Sequence, residues 1–451
     1  MPSHSDESVG TMVPINHSKR LGLRREVRAE GDMQDRARSL DEPLAQDPPA
    51  AHDARVLPAL HLAPRRPVTA LRWYGRGSDP VLLERGRGRF TIGASACDVV
   101  VPAALAAAVS AQHALLVRVH SGLRIDDRGS KNGTFRSLGS ARLPSFQLEA
   151  GDRFWLADVP VLAVDDALEA LRPQLAARLG LDRHDAVDAA LVNIADGRPL
   201  ALVGPAGLDA AALARAIHEA GAQRDNAFVT VTAAAPPLDE VRGGTIFVDL
   251  DRLRSLTAPQ LRPWFDPANG VRVIVAGATE RRLRACLDTY RDQLHAIALV
   301  PLAQRPGDVT RLLELHWRDR LDSPHRVEEL GPGVAGLADY RWPRNLDELG
   351  EHAPRLLAYL ERGSLRGAAL ALGIAHQTLD SHFARIAFAP SARRGEDGPR
   401  LVVVPSKPGR AREASLLGWL VGWAYSNRSA VNRCGAASST ANPMPAGPLA
   451  Q

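Results

Sequence analysis

Cysteine and long apolar runs are both scarce in this chain of 451 residues. Its three cysteines lie far apart and have neither the pairing of a disulfide framework nor the spacing of metal ligands: Cys97, Cys286 and Cys434. This scarcity excludes a disulfide-stapled secreted fold, and it predicts a reducing, cytoplasmic location. The most apolar stretch of the tail, Leu416–Tyr425, is far shorter than the roughly 20 residues of a membrane-spanning helix. We therefore expect no membrane partner.

Lysine is almost absent, so arginine supplies nearly all of the positive charge; the lysines are Lys19, Lys131 and Lys407. The net charge of +5 and the pI near 9.4 are compatible with a nucleic-acid partner but do not require one. Hydrophobic residues make up 45% of the chain and charged residues 24%, which is ordinary for globular proteins. The length is enough for about two or three domains.

Two short strings carry the strongest functional signal, Val-Ser-Ala-Gln-His at 109–113 and Gly-Ser-Lys-Asn-Gly-Thr at 129–134. Alternating and β-branched residues at 113–120 and 123–126 predict strands between them. The polar, glycine-bearing run that follows predicts a loop. Ser110 and Asn132 therefore lie on loops of a β framework, where binding residues usually lie.

These strings, together with Ile92-Gly93, Cys97–Pro102 and Leu148–Asp152, occur in the order of a known family. From about Val68 to Val164 the chain resembles the forkhead-associated (FHA) domain, a small β-sandwich that binds phosphothreonine. The resemblance implies that His113 braces the loops and that four residues contact a phosphopeptide: Ser110, Ser130, Lys131 and Asn132.

The phosphate site departs from the family pattern. Ala94 and Ala111 occupy the positions at which the family has arginine. Losing a bidentate guanidinium removes the strongest available phosphate partner. Lys131 or Arg128 is expected to substitute in part. Phosphothreonine recognition and a purely scaffolding β-sandwich therefore both stay open, as does the question whether the loss at Ala94 abolishes binding.

From Pro199 onward short apolar strands alternate with helices, which predicts a parallel sheet covered by helices. Ordered strings across 199–352 resemble the AAA+ domain of bacterial enhancer-binding activators of the sigma-54 type. Among these strings are Gly204–Gly207, Arg242–Asp249, Arg305–Val309 and Tyr340–Leu349.

The residues that ATP chemistry requires are replaced in this region. A phosphate-binding loop needs a glycine, a lysine and a hydroxyl, and the aligned positions are Asp209, Ala210 and Ala211. Asp249 matches the family's magnesium-site aspartate, but Leu250 replaces the glutamate that follows it. The segment 232–241 is also too short for the family's sigma-factor contact loop. We predict no enzymatic activity, no catalytic residue, no cofactor and no metal; an active ATPase is the disfavoured alternative.

Beyond Pro306 the pattern becomes all-helical, and residues 365–379 have the form of a helix-turn-helix with Gly373 at the turn. The segment resembles the Fis-type motif that ends the same activator family. The resemblance implies DNA contacts from His376, Gln377, Thr378, Ser381 and Arg385. His376, in place of an arginine or lysine, and Asp380 predict weak binding by a monomer and hence a homo-oligomer. An ordinary helical hairpin packed on the preceding helices is the alternative.

The expected fold class is multidomain: an all-β FHA-like sandwich, a degenerate α/β AAA+-like domain and an α-helical helix-turn-helix. The predicted boundaries are a disordered N-terminal region at 1–66, the FHA-like domain at 67–165, a helical connector at 166–198, the α/β core at 199–304, a helical lid at 305–360, the helix-turn-helix at 361–388 and a disordered tail at 389–451.

The expected function is transcription regulation and signal transduction in the cytoplasm, without ATP hydrolysis. The expected partners are DNA and a phosphothreonine-containing protein, either a Ser/Thr kinase or its substrate. The alternative is a phosphoprotein interaction scaffold that does not bind DNA.

Overall fold

A computed structural model describes residues 62–120, 122–232, 236–253 and 257–390. Most of the two segments predicted to be disordered, 1–66 and 389–451, lies outside the described residues, as do Leu416–Tyr425 and Cys434. Residues 62–66 differ from the prediction. The backbone N–H of Ala63 donates to Ala222 (2.8 Å), and the Arg66 guanidinium donates to the carbonyl of Ala220 (3.0 Å).

The first part of the chain folds as a sandwich of two five-stranded sheets. Its strands are β1 (Ala70–Trp73), β2 (Val81–Leu82), β3 (Arg89–Gly93), β4 (Val99–Val100), β5 (Ala114–Val119), β6 (Gly122–Asp127), β7 (Thr134–Phe135), β8 (Ser145–Leu148), β9 (Arg153–Leu156) and β10 (Val159–Val164). The sheet orders are β2-β1-β10-β9-β7 and β4-β3-β5-β6-β8. Only β3 and β4 pair in parallel among these strands. Apolar side chains alternate along the strands and fill the space between the sheets, among them Ile92, Leu116, Ile125 and Phe154.

The second part is an α/β unit whose five strands are all parallel. Its elements are α1 (Asp166–Leu179), α2 (His184–Ala195), β11 (Leu200–Val203), α3 (Ala210–Ala220), β12 (Phe228–Val231), α4 (Leu238–Val241), β13 (Thr245–Asp249), α5 (Ala258–Phe265), β14 (Arg272–Gly277), α6 (Glu280–Leu287) and β15 (His295–Ala298). The sheet order is β12-β13-β14-β11-β15. β11 is an internal strand, with β14 on one side and β15 on the other. The loop that follows β11 therefore leaves the sheet from the carboxyl end of an internal strand, not of an edge strand.

The third part is helical. Its helices are α7 (Gly307–Arg320), α8 (Val334–Asp339), α9 (Asn345–Arg362), α10 (Leu365–Leu372) and α11 (His376–Arg385). The Ser364 hydroxyl caps α10 by accepting from the N–H of Gly367, and Gly373 ends this helix with φ 67°, a conformation that glycine adopts without strain. Across the described ranges, none of the helices combines the length and apolar character needed to cross a bilayer.

The expected order of an all-β region followed by α/β and helical parts is confirmed. The structure adds that α1 and α2, predicted only as a connector, are central to the packing. Ala70 and Val164 of the sandwich share one apolar core with Leu168 and Leu175 of α1, and this core continues into the α/β unit and the C-terminal helices.

Charged groups are buried where the sandwich meets α1 and α2. Arg72 on β1 donates two hydrogen bonds to Glu169 (2.5 and 2.9 Å). Arg172 pairs with the fully buried Asp188 at 3.1 Å, and Asp188 also accepts from the backbone N–H of Gly75 (2.8 Å). Burial raises the pKa of Asp188. This carboxylate therefore ties together α1, α2 and the loop after β1.

We expect the Asp188→Ala substitution to lower the free energy of unfolding by about 3 kcal/mol, because it leaves a buried guanidinium without its counter-ion. Chemical denaturation measures this difference. Asp166→Ala is the matched control, since Asp166 pairs with Arg85 on the exposed surface and such pairs contribute little. Equal effects of the two substitutions would show that the buried pair does not hold the joint.

Candidate functional site

Three loops of the sandwich meet at one end and bring together the two strings singled out in the sequence. The backbone N–H of Lys131 donates to the Ser110 hydroxyl (3.0 Å). The Asn132 side-chain amide donates to the carbonyl of Ala108 (2.7 Å). Lys131 and Asn132 are exposed and Ser110 is half-buried. These three predicted residues therefore form one continuous surface, which we call the loop site.

His113 braces the loop site from beneath, as the resemblance implies. It is fully buried. The N–H of Ser110 donates to its Nδ1 (3.2 Å), and its Nε2 lies 3.0 Å from the carbonyl oxygen of Gly133. This pattern assigns the ring proton to Nε2. Burial lowers the pKa of His113, so the neutral ring joins the two loops at neutral pH.

Asp127 organises the loop that carries Lys131 and Asn132. Its carboxylate accepts from the backbone N–H groups of Gly129 and Ser130 (2.9 Å each), and from the side chains of Ser130 (2.6 Å), Thr134 (2.8 Å) and Arg142 (2.7 Å). Burial alone would raise the pKa of Asp127, but the hydrogen bonds outweigh it and hold the pKa far below its ordinary value. The sequence reasoning missed this residue, although an aspartate two positions before a Gly-Ser pair is a signal for an Asx turn.

Ser130 differs from its predicted role. Its side chain is buried, its hydroxyl donates to Asp127, and the same oxygen accepts from the N–H of Gly133 (3.0 Å). A hydroxyl has one hydrogen, and here that hydrogen is already bonded. Ser130 therefore stabilises the loop from its buried side, whereas Ser110, Lys131 and Asn132 lie at the surface.

The positive charge of the loop site comes from one loop and its neighbour. Ala94 donates its N–H to the carbonyl of Ser110 (3.0 Å), so alanine borders the site where the family has arginine. Lys131 and Arg128 are exposed on the loop itself. Arg142 lies beside Gly133 of this loop, and its guanidinium donates to Asp127. Nothing in the local sequence signals Arg142, which the fold brings to Asp127.

The second predicted surface lies on α11. His376, Gln377, Thr378, Ser381 and Arg385 are all exposed there. The opposite face of the helix buries Leu379 and Phe383, and the Phe383 ring packs edge-on against Tyr359 of α9 and against Phe388. The helix is thus attached to the preceding helices with its predicted contact residues facing outward.

Two features of α11 weaken its positive charge. Asp380 is exposed among the predicted contact residues. The Arg385 guanidinium turns back toward Nδ1 of His382 (3.1 Å) and Nε2 of His352 (3.4 Å). Burial lowers the pKa of His352 to about 3, so this ring is neutral at neutral pH and adds no positive charge to the surface.

The predicted remnant of a magnesium site is engaged in local bonds. Asp249 ends β13, where its carboxylate accepts from the N–H groups of Asp251 (3.0 Å) and Arg252 (3.3 Å). Leu250 is fully buried. In the described part of the chain, no group of three or more His, Cys, Asp or Glu side chains is arranged to hold a metal ion.

We expect Asp127→Ala to lower the free energy of unfolding by about 2 kcal/mol at pH 7, because it removes several charge-assisted hydrogen bonds. A depressed pKa contributes stability above the unfolded-state pKa, about 4 for aspartate. The difference in the free energy of unfolding between wild type and variant should therefore be present at pH 7 and should narrow as the pH falls below about 4. Denaturation across a pH series tests this. Asp158→Ala, at an exposed aspartate of the sandwich, is the control and should leave the stability nearly unchanged at every pH; a gap for Asp127→Ala that does not narrow in acid contradicts the assignment.

Comparisons with known proteins agree with the geometry of the loops. No curated protein matches the chain. Three of the matching solved structures cover it in part. An FHA domain of an Arabidopsis thaliana protein is 22% identical over 23% of this chain and 91% of its own length, with a TM-score of 0.19. An FHA domain of a Chlamydia trachomatis protein is 23% identical over 21% of this chain and 95% of its own, with a TM-score of 0.19.

NtrX from Brucella abortus, solved with ATP, is 18% identical over 49% of this chain and 67% of its own, with a TM-score of 0.29. These structural alignments are weak, and the assignment rests on a match to a family model instead. That model is the FHA domain, and it covers residues 86–157, the stretch that contains Ser110, Lys131 and Asn132. The chain therefore contains an FHA domain.

Proposed function

We propose that this protein is a cytoplasmic, FHA domain-containing transcription regulator that binds a phosphothreonine protein and DNA without hydrolysing ATP. The observation that carries the proposal is the loop site, at which Ser110, Lys131 and Asn132 converge within an FHA domain. FHA domains bind phosphothreonine-containing partners, and a Ser/Thr kinase or its substrate is the proposed partner. The cytoplasmic location follows from the scarcity of cysteine.

The hydrogen bonds of the loop site leave suitable groups for a phosphate. The Ser110 oxygen accepts from the N–H of Lys131, so its own hydrogen is free to donate to a phosphate oxygen. The exposed Lys131 ammonium supplies charge beside it. Asn132 uses one amide hydrogen to hold Ala108, and its other polar groups suit the backbone of a bound peptide.

The same geometry implies modest affinity. A phosphothreonine carries nearly two negative charges at pH 7, and a bidentate guanidinium matches it better than a lysine ammonium does. Ala94 and Ala111 provide no guanidinium. Binding therefore depends on Lys131 and Ser110 more strongly than it would in a site with arginine at those positions.

We expect Ser110→Ala and Lys131→Ala each to weaken the binding of a degenerate phosphothreonine peptide pool about tenfold, since each removes one hydrogen bond or charge to the phosphate. Fluorescence anisotropy with the full chain measures this. Ser140→Ala is a matched control, because that hydroxyl bonds its own turn at Ser137 (2.7 Å). Equal affinity of wild type for phosphorylated and unphosphorylated pools would favour the scaffolding sandwich.

Binding to DNA is supported by the outward row on α11. Gln377 presents a carboxamide that can pair with an adenine edge. The exposed Arg385 reaches a phosphate only when its guanidinium leaves His382 and His352. Arg366 on α10 is exposed as well. Asp380 opposes this charge, so two copies acting together are needed for useful affinity. We accordingly propose that the protein binds DNA as a homo-oligomer.

The absence of ATP hydrolysis is supported by the residues at the loop after β11. Asp209, Ala210 and Ala211 occupy the positions of the glycine, lysine and hydroxyl. Leu250 contributes no group that could activate water. We propose that the α/β unit of this AAA+-like region places the FHA domain relative to the C-terminal helices.

A non-DNA-binding interaction scaffold is the second candidate. The observation that favours it is the close packing of α11 on α9 through Tyr359, Phe383 and Phe388. In that case the helix pair serves to complete the C-terminal core, and the loop site alone carries the function.

DNA binding is tested by recovering genomic fragments with the purified full chain across a salt series. We expect sequence-selective recovery that weakens with salt, because phosphate contacts release counter-ions. Gln377→Ala should relax the sequence preference, whereas Asp380→Asn should strengthen binding to all fragments. Arg318→Ala, at an exposed arginine on α7, is the control. No recovery at low salt by the folded protein would favour the scaffold.

A further inference from the structure

The loop after β11 has the position of a phosphate-binding loop. It leaves the carboxyl end of an internal strand of a parallel sheet and leads into the first turn of α3. At such a position the helix N–H groups attract anions, and ligands of open α/β sheets bind outside the carboxyl ends of the strands. What lies around residues 204–209 therefore decides whether this cleft accepts a nucleotide.

The chain provides its own anion at the start of α3. Asp209 is the N-cap residue, with φ 49°, and its carboxylate accepts from the N–H of Ala212 (3.2 Å). A carboxylate at this position satisfies an N–H group that a phosphate would otherwise bind. An incoming phosphate would meet a negative charge at this place.

The chain also provides the cation. Arg178, in the last turn of α1, is fully buried. Its guanidinium donates to the carbonyl of Leu208 (2.8 Å) and to that of Asp209 (3.3 Å), and also to Gln174 within α1 (2.9 Å). Burial lowers the pKa of Arg178 to about 10, and the nearby Asp209 carboxylate partly offsets this decrease. The guanidinium therefore stays charged and bonds directly to the loop.

The start of α9 closes the loop from the other side. Gly207 has φ 82°, and a Cβ at this position would collide with the carbonyl oxygen of Arg344. Asn345 donates from its side-chain amide to Ala206 (2.8 Å), and its carbonyl oxygen accepts from the N–H of Leu302 (2.9 Å). This one buried carboxamide links the loop, the segment after β15 and α9.

The end of α1 bridges the same two parts. The N–H of Val300 donates to the carbonyl of Arg178 (2.9 Å), and the N–H of Leu181 donates to Asp308 of α7 (3.0 Å). The Arg305 guanidinium donates to the carbonyl of Ala177 (2.6 Å) and to Asp308 (3.1 Å). The α/β unit and the C-terminal helices are therefore connected through α1.

We propose that the nucleotide cleft of this protein is self-occupied: the Asp209 carboxylate takes the place of a phosphate and the Arg178 guanidinium that of its cation. The cleft between the α/β unit and the C-terminal helices is then held closed by the chain itself. Because α1 has 14 residues, it extends about 20 Å, from the FHA domain at one end to this cleft at the other. The FHA domain, the α/β unit and the C-terminal helices form one body that no nucleotide opens.

Amide hydrogen exchange on the full-length protein tests this, with and without millimolar MgATP or MgADP. We expect slow exchange at Leu181, Val300 and Ala212 that nucleotide leaves unchanged, and no nucleotide-dependent shift in melting temperature. Arg178→Met keeps much of the side-chain volume and removes the donors, so exchange at these amides should rise at least about tenfold. Exchange along β5 and β6 of the FHA domain should stay as in the wild type.

Arg318→Met is the matched control, because Arg318 is an exposed arginine of α7 that pairs with the adjacent Asp319, and it should leave every exchange rate unchanged. Protection or thermal stabilisation of the wild type by nucleotide would overturn the proposal, and so would unchanged exchange in Arg178→Met. Should that variant fail to fold, the nucleotide titration of the wild type still decides the matter. Since neither phosphopeptide nor DNA enters the experiment, its failure would leave the proposed binding of both partners standing.

Discussion

The burial of charged side chains along α1 is the constraint on which the rest of the structure depends. Arg172 and Arg178 are both buried on this helix, one against Asp188 and one against backbone carbonyls of the loop after β11. A buried guanidinium is tolerated where acceptors or a counter-ion offset its lost hydration. Through Arg172 and Asp188, α1 contacts the loop after β1 of the FHA domain, and through Arg178 it contacts the loop after β11 of the α/β unit. The helix α1 therefore connects these two parts.

The loop site differs from α1 because its polar side chains remain accessible to solvent instead of being buried. Asp127 and His113 take up the inward-facing donors and acceptors of the loops, and they hold Ser110, Lys131 and Asn132 at the surface. Such preorganisation reduces the ordering that a ligand must induce. Alanine at positions 94 and 111 supplies no guanidinium to this surface.

In the α/β unit the loop between β11 and α3 is bonded internally, because Asp209 caps α3 and Arg178 donates to the loop carbonyls. On α11 the residues predicted to contact DNA are exposed. The aromatic contact of Phe383 with Tyr359 attaches this helix to α9.

The sequence by itself determined the order of the three parts, the two strings of the loop site and the lack of a lysine or hydroxyl at Asp209, Ala210 and Ala211, because these depend on local pattern and on residue type. Only the tertiary structure decided that Ser130 faces inward, that Arg142 joins Asp127, and that Arg178 fills the loop after β11. Each of these depends on contacts between residues well separated along the chain or on which way one hydroxyl turns. Periodicity and motif spacing do not predict such contacts or the orientation of a hydroxyl, because packing in three dimensions sets them.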